Sequence, residues 1–361
     1  MNQNSQHNAH TAWYAAILLL HLLLVSCSLM TDDRSGCPDC HNPLRITLRY
    51  DYNTARANMF SDHVEQATVY LVDSCTNTVV ETQTAANTAE AQPLRSPMFA
   101  FNVEGLMPGY YHLYATGRSA ADAAIQLTKP TVGEAMGELQ FMLPIDAEGN
   151  VTTGRLDTLW NTLQPVNIVI PEQGITEAVV PLMRLTNDLN VLIFRCDTPA
   201  VNSHVLYDVS VIDDFPVLGS NNEPVVTQQT TYRPFAAWTT ETLASDNTAG
   251  KDTVVARDAH FDLSLFRLFS DEDVRRNPRL IIRNRENGTE VVNINLCHYL
   301  SLARNAYEIQ HYSVQEYLDR EYDYRLDFGL GKNNSGHDTW KYMTIRLGIL
   351  SWSLRIQNEE L

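Results

Sequence analysis

LRITLRYDY, residues 44–52, alternates apolar and polar side chains: Leu44, Ile46, Leu48, Tyr50 and Tyr52 share one parity, and Arg45, Thr47, Arg49 and Asp51 the other. Successive side chains on a strand point to opposite faces, so this pattern predicts a strand with one face in a core and one in water. Similar strand-like stretches recur at 67–72, 110–116, 166–170, 178–182, 189–194, 206–212, 280–283 and 291–296. Turn pairs separate them: Asp73-Ser74, Pro108-Gly109, Gln173-Gly174 and Asn287-Gly288. At Pro108-Gly109 a type II turn is expected, with proline fixing φ and glycine accepting φ > 0. Helical spacing is confined to 59–66 and 314–321, and no βαβ alternation is present. The prediction is an all-β chain of antiparallel β-sandwiches. The stretch 183–188, MRLTND, is the expected domain junction, and the polar stretch 239–252 is expected to be a long loop.

The chain has 361 residues, 44% of them apolar, which is enough for two domains with real cores. Its net charge is −17. That charge opposes a nucleic-acid partner, which needs a basic face, and opposes adsorption to anionic lipid through protein charge.

Residues 1–31 carry no Asp, Glu, Lys or Arg, and 13–25, WYAAILLLHLLLV, is apolar but for His21. It is shorter than the roughly 20 residues of a membrane-spanning helix and suits the apolar region of a signal peptide. Leu24-Val25-Ser26-Cys27 resembles a bacterial lipobox, in which the cysteine is lipidated and becomes the first mature residue. Two or more acyl chains anchor stably where one does not. The leader contains no Lys or Arg, a departure from the usual pattern. Asp32-Asp33 follows, an acidic pair similar to the surface-export signals of Bacteroidetes lipoproteins.

Cys37-Pro38-Asp39-Cys40-His41 has haem-attachment spacing, but a strand rather than a helical pocket follows it. A zinc site needs a second ligand pair, and a thioredoxin-type dithiol needs a βαβ unit; neither is present. The reading kept is a tether whose thiols pair with each other or with Cys75, Cys196 or Cys297 in an oxidising compartment. No cofactor or metal is expected. The sequence has no GxSxG, no HExxH and no complete P-loop, so no enzyme is expected. Gly329-Leu330-Gly331-Lys332 through Gly336 reads as a hairpin loop. Asp213-Asp214 and Asp271-Glu272-Asp273 read as solvated turns. Arg275, Arg276, Arg279, Arg283 and Arg285 read as a solvated edge or a contact for an acidic partner.

Several segments together resemble the FimB/Mfa2 family of Bacteroidetes fimbrial proteins. They are LRITLRYDYN at 44–53 with ATVYLVD at 67–73, GLMPGY at 105–110, Leu159-Trp160 through Leu185-Thr186-Asn187-Asp188, YSVQEYLDREY at 312–322 and LSWSLRIQN at 350–358. The block 315–320 is the most specific; 215–252 carries no family signature. The resemblance implies a signal peptide over 1–26, a lipidated tether over 27–43, and two transthyretin-like sandwiches in tandem, 44–185 and 186–361. It also implies a fimbrial anchor or accessory subunit on the outer membrane, lipid-anchored through Cys27 and facing outward, whose partners are fimbrial shaft or accessory subunits.

Near the C-terminus, Met343, Ile345, Leu347 and Ile349 are apolar in one parity, and Leu350, Trp352, Leu354 and Ile356 in the other. The core face must therefore switch, through a bulge or bend near Gly348–Leu350. Leu350, Trp352, Leu354 and Ile356 then form a separable strand that either completes its own sandwich or inserts into a neighbouring subunit by strand addition. The alternative function is a surface lipoprotein that binds glycan or host protein through its sandwich loops.

Overall fold

The structure, a computed structural model, describes residues 43–119, 124–152, 154–197, 202–246, 251–270, 278–347 and 353–357. Four sheets dominate it, as expected of an all-β chain. The first runs β3 (Val79–Ala86), β2 (Gln66–Asp73), β5 (Gly109–Arg118), β8 (Leu159–Thr162), β10 (Thr176–Arg184), β1 (Leu44–Arg49) and β4 (Phe101–Val103), with β9 (Val166–Ile170) alongside β5. In β1, Leu44, Ile46 and Leu48 are buried and Arg49 is exposed, the phase read from the sequence. They meet Val69, Leu71, Leu113, Trp160, Val180 and Leu182 in one core. β10 pairs with β1 as far as Pro181 and with β8 from Leu182 onward. Proline has no N–H for a ladder, so the strand changes partner there, while the Pro181 carbonyl accepts from the Leu163 N–H at 2.9 Å.

The second sheet runs β16 (Ala236–Asp246), β17 (Lys251–Phe266), β11 (Thr186–Arg195), β20 (Asp323–Lys332), β21 (Asp338–Leu347) and β22 (Ser353–Gln357). The third runs β15 (Thr230–Tyr232), β12 (Tyr207–Asp213), β18 (Arg279–Asn284) and β19 (Glu290–Asn295). The fourth runs β14 (Pro224–Val226), β13 (Val217–Gly219), β7 (Gln140–Met142) and β6 (Gln126–Thr128). Val191 and Ile193 of β11, Phe261 and Leu263 of β17 and Leu326 and Phe328 of β20 pack against Val209 and Val211 of β12 and Ile282 of β18. Tyr70, Leu159 and Leu185 belong to the same cluster, so apolar packing is continuous across the sequence junction at 183–188. There β10 and β11 are separated only by Leu185, which is fully buried and whose N–H bonds Leu159 O at 2.8 Å.

Several expectations are corrected. The ladders are mostly antiparallel, but β1 and β10 pair in parallel, as do β11 and β20. In each case a long excursion lies between the two strands, which lets the chain return in the same direction. The stretch 239–252 is no loop: its described residues belong to the β16–β17 hairpin. Gly109 lies in β5 with no positive φ; the positive φ in this turn region falls on Gly105, at 73°. The helix expected at 59–66 is the single turn Phe60–His63, and that at 314–321 is Val314–Arg320. Two unexpected helices, Leu296–Ser301 and Ala306–His311, are capped by Asn295 and Asn305, the latter with Glu308 in a capping box. Asp213 is not in a solvated turn; it ends β12 with its side chain buried. Residues 271–273 lie outside the described residues. The Gly329–Gly336 region is a hairpin between β20 and β21, though Gly329 and Gly331 sit within the strand.

Candidate functional site

Of the predicted partner-binding residues, Leu354 and Ile356 lie on β22; Leu350 and Trp352, like the predicted lipidation residue Cys27, fall outside the described residues. β22 runs antiparallel to β21, with Leu354 opposite Ile345 and Ile356 opposite Met343. Directly opposed residues share a face, so all four point to the same side of the sheet. Leu354 and Ile356 are half-buried against the larger core cluster. In this register an odd-numbered residue of β21 faces an even-numbered residue of β22, so the two apolar parities meet on one face; 348–350, where the switch is expected, lies outside the described residues. Among the described strands β22 has only β21 as a neighbour, so it forms one edge of the sheet. On the face turned from the core, the buried Asp327 carboxylate is gripped by Arg325 Nε at 2.7 Å and by Arg346 Nη2 at 2.9 Å.

The 312–322 block is a junction. Ser313 caps its helix by accepting the Glu316 N–H at 3.0 Å. Gln315 Nε2 donates to Leu268 O at 2.9 Å, and its Oε1 accepts the Ser270 N–H at 2.8 Å. Asp319 takes Nε and Nη2 of Arg267 on its two oxygens, both at 2.8 Å, a planar fork on a planar acceptor. Arg267 also donates to Asn222 O, and Asn222 Oδ1 accepts from Asn161 Nδ2 at 2.7 Å. Asn222 Nδ2 donates in turn to Thr162 O at 2.9 Å. A buried polar path thus runs from β8 of the first sheet, through the end of β17, to this helix. Beside it Arg320 lies 3.9 Å over the Tyr52 ring and 4.5 Å over Tyr312. Glu321, whose pKa burial raises, accepts from Thr54 Oγ1 at 3.0 Å. Every polar tip of the block that these contacts account for is spent inside the molecule.

Cys75 and Cys196 are exposed free thiols; Cys297 is free and buried, and burial pushes its thiol pKa well up. Cys37 and Cys40 lie outside the described residues. Among the described residues no group of three or more His, Cys, Asp or Glu could hold a metal ion, and no helix is long and apolar enough to cross a membrane. Of the basic stretch, Arg279 Nε donates to Asn293 Oδ1 at 2.7 Å and Arg283 pairs with Glu290 at 2.6 Å. Arg285 lines a cavity together with His204, Asp208 and Arg233; Arg275 and Arg276 are outside the described residues.

Comparison with known proteins adds the following. A family model for fimbrillin-A associated anchor proteins Mfa1 and Mfa2 matches residues 34–358. Similar folds include a crystal structure of a candidate polysaccharide-binding protein from Bacteroides thetaiotaomicron, with TM-score 0.69 and 23% identity over 89% of this chain and 100% of that one. A candidate adhesin of the same organism gives TM-score 0.68 and 23% identity over 89% and 99% of the two chains. The fimbrial anchor protein Mfa2 from Porphyromonas gingivalis gives TM-score 0.62 and 13% identity over 87% and 99%. No curated protein sequence matches the chain.

Proposed function

The chain belongs to the family of fimbrillin-A associated anchor proteins Mfa1 and Mfa2, and from that premise we propose that it fixes a fimbrium to the outer membrane as a lipid-tethered base subunit. The family is one of fimbrial structural proteins rather than of enzymes. In this reading Cys27 carries the acyl chains, and 28–43 is the tether. The two halves of the chain, read as transthyretin-like sandwiches, transmit the pull. The C-terminal edge strand, β22, grips the neighbouring subunit by strand pairing.

The observation that carries the reading is the extent of the family match. It begins shortly after Cys27 and takes in β22, so the candidate anchor and the candidate gripping edge bracket it. The grip we favour is addition of a partner strand along the outer edge of β22, where main-chain hydrogen bonds supply affinity and alternate side chains supply selection. Leu354 and Ile356 already rest on this chain's own core, which makes edge pairing an easier event than extraction of β22.

Cys27→Ala tests the anchor. Cells carrying it should shed fimbriae into the medium, measured by immunoblot of the culture supernatant, and the mature N-terminus should lose its acyl mass. Fimbriae that stay attached and of normal length in this variant would refute the anchoring role.

A further inference from the structure

A cavity of about 360 Å³ opens between the third sheet and the outer strands of the second. Its accessible apolar wall comes from Val205, Pro234 and Ala237, with the buried Tyr207, Val209 and Phe261 behind it, and its charged and imidazole groups are His204, Asp208, Arg233 and Arg285. The two arginines face a single acceptor: Arg233 Nη1 lies 3.0 Å from Asp208 Oδ1, and Arg285 Nη2 lies 4.0 Å from that same oxygen. Their side chains are 53% and 59% exposed, so both guanidiniums can take a further partner from solvent. The Arg285 N–H donates to Leu206 O at 2.8 Å, and His204 Nδ1 lies 2.8 Å from Thr239 Oγ1, which also accepts the His204 N–H at 3.1 Å.

Two guanidiniums against one carboxylate leave the cavity with one excess positive charge, in a chain whose net charge is −17. An anion is the matching ligand, and the Asp208 carboxylate beside the arginines favours a monoanion that brings hydroxyl donors over a compact dianion. Guanidiniums receive a carboxylate through paired N–H donors, Asp208 accepts from hydroxyls, and the apolar wall suits the C–H face of a sugar ring. The volume is at the low end of ligand pockets, which run about 300–1,000 Å³, so it fits one ring rather than a polymer segment. An acidic peptide would want an open groove or strand edge for its main chain.

We propose that this cavity binds a terminal carboxylate-bearing sugar, a uronic or a sialic acid, on a glycan. The proposal stands apart from the anchoring role and does not rest on it. The shared chemistry is one carboxylate on a polyhydroxylated ring; a uronic acid would come from a bacterial polysaccharide and a sialic acid from a host glycan.

The full chain in detergent is titrated with N-acetylneuraminic acid, D-glucuronic acid, D-glucose, sodium acetate and triglutamate, read by saturation-transfer NMR. At least one of the two acidic sugars should bind about tenfold more tightly than glucose, acetate or triglutamate, and the stronger of the two names the source. Arg285→Gln and Arg233→Gln should each weaken that binding about tenfold, the order expected for loss of one charge-assisted contact. Arg283→Gln, whose arginine is held by Glu290 outside the cavity, should leave it unchanged. Binding of neither acid, equal binding of acetate or glucose, tighter binding of triglutamate, or indifference to both cavity substitutions would each overturn the proposal.

Discussion

Asp213 shows how far one residue can depart from its local signal. Two adjacent aspartates read as a wet turn, yet the first ends a strand and is 1% exposed. Burial pushes its carboxyl up to about 7, helped by the Asp214 charge and opposed by the Asp214 N–H at 2.8 Å. In an unfolded chain the same group titrates near 3.9. Between about pH 4 and pH 7 the native state therefore holds a proton that the unfolded state has lost, so stability falls as pH rises through this window and is level above it. A shift of this size corresponds to about 4 kcal/mol at most. Asp213→Asn keeps the acceptor for Asp214 and removes the titration. Urea unfolding at pH 5 and pH 8 should show the wild type losing more stability than this variant across the interval. Other carboxyls raised by burial, such as Glu321 and Asp323, are common to both proteins and cancel in the comparison. Equal pH dependence in the two would mean that Asp213 is ionised in the fold.

At the scale of the element, the β16–β17 hairpin and β22 teach opposite lessons. β17 pairs with β16 from Lys251 to Asp262, but with β11 only from Ala259 to Phe266. Its distal half is a two-stranded ribbon with residues 240–243 and Val255 all exposed. A ribbon wet on both sides has no reason to alternate, which is why a Thr-rich strand reads as a polar loop. β22, in contrast, shows its apolar side chains plainly, but alternation cannot say whose strand it pairs. Half-buried, Leu354 and Ile356 contribute about 1 kcal/mol each, half of the ~1.5–3 kcal/mol for full burial. Against a total stability of ~5–15 kcal/mol that is a minor share. Deleting residues 350–361 should therefore leave a folded protein, with a melting temperature a few degrees lower by calorimetry, that no longer retains fimbriae on the cell. If the truncated chain fails to fold, the strand is an obligate part of its own core. If it folds and still holds fimbriae, the grip lies elsewhere.

Across the whole molecule, the polar path from Thr162 through Asn222 and Arg267 to Asp319 joins the first sheet to the second. Arg267 and Asp319 have side chains 9% and 7% exposed. Removing Asp319 leaves the buried Arg267 facing only Glu223 at 3.7 Å, on a carboxylate side chain 60% exposed, so the cost approaches the ~3–5 kcal/mol of a broken buried pair. Asp319→Ala should lose about that much in urea unfolding, and the double variant Arg267→Met, Asp319→Leu should recover most of it. A loss below about 1 kcal/mol in the single variant would show that Glu223 and water suffice for Arg267 and that the path is no structural tie.

The sequence by itself determined the all-β class, the strands β1, β2, β5, β9, β10, β11, β12, β18 and β19, the short helix after Ser313 and, through the 315–320 block, the family; it did not mark β4, β15 or β17, whose buried faces are equally clear. Those features follow from side-chain period and local capping, which act within a few residues. Only the tertiary structure decided that β1 and β10, and β11 and β20, run parallel, that 239–252 belongs to a hairpin, that Asp213 is buried, and that the 312–322 block is spent on internal contacts. It alone brought Arg233 and Arg285 to one carboxylate oxygen. Each of these depends on which distant segment arrives alongside, and partner choice between strands leaves no mark on the alternation of either one.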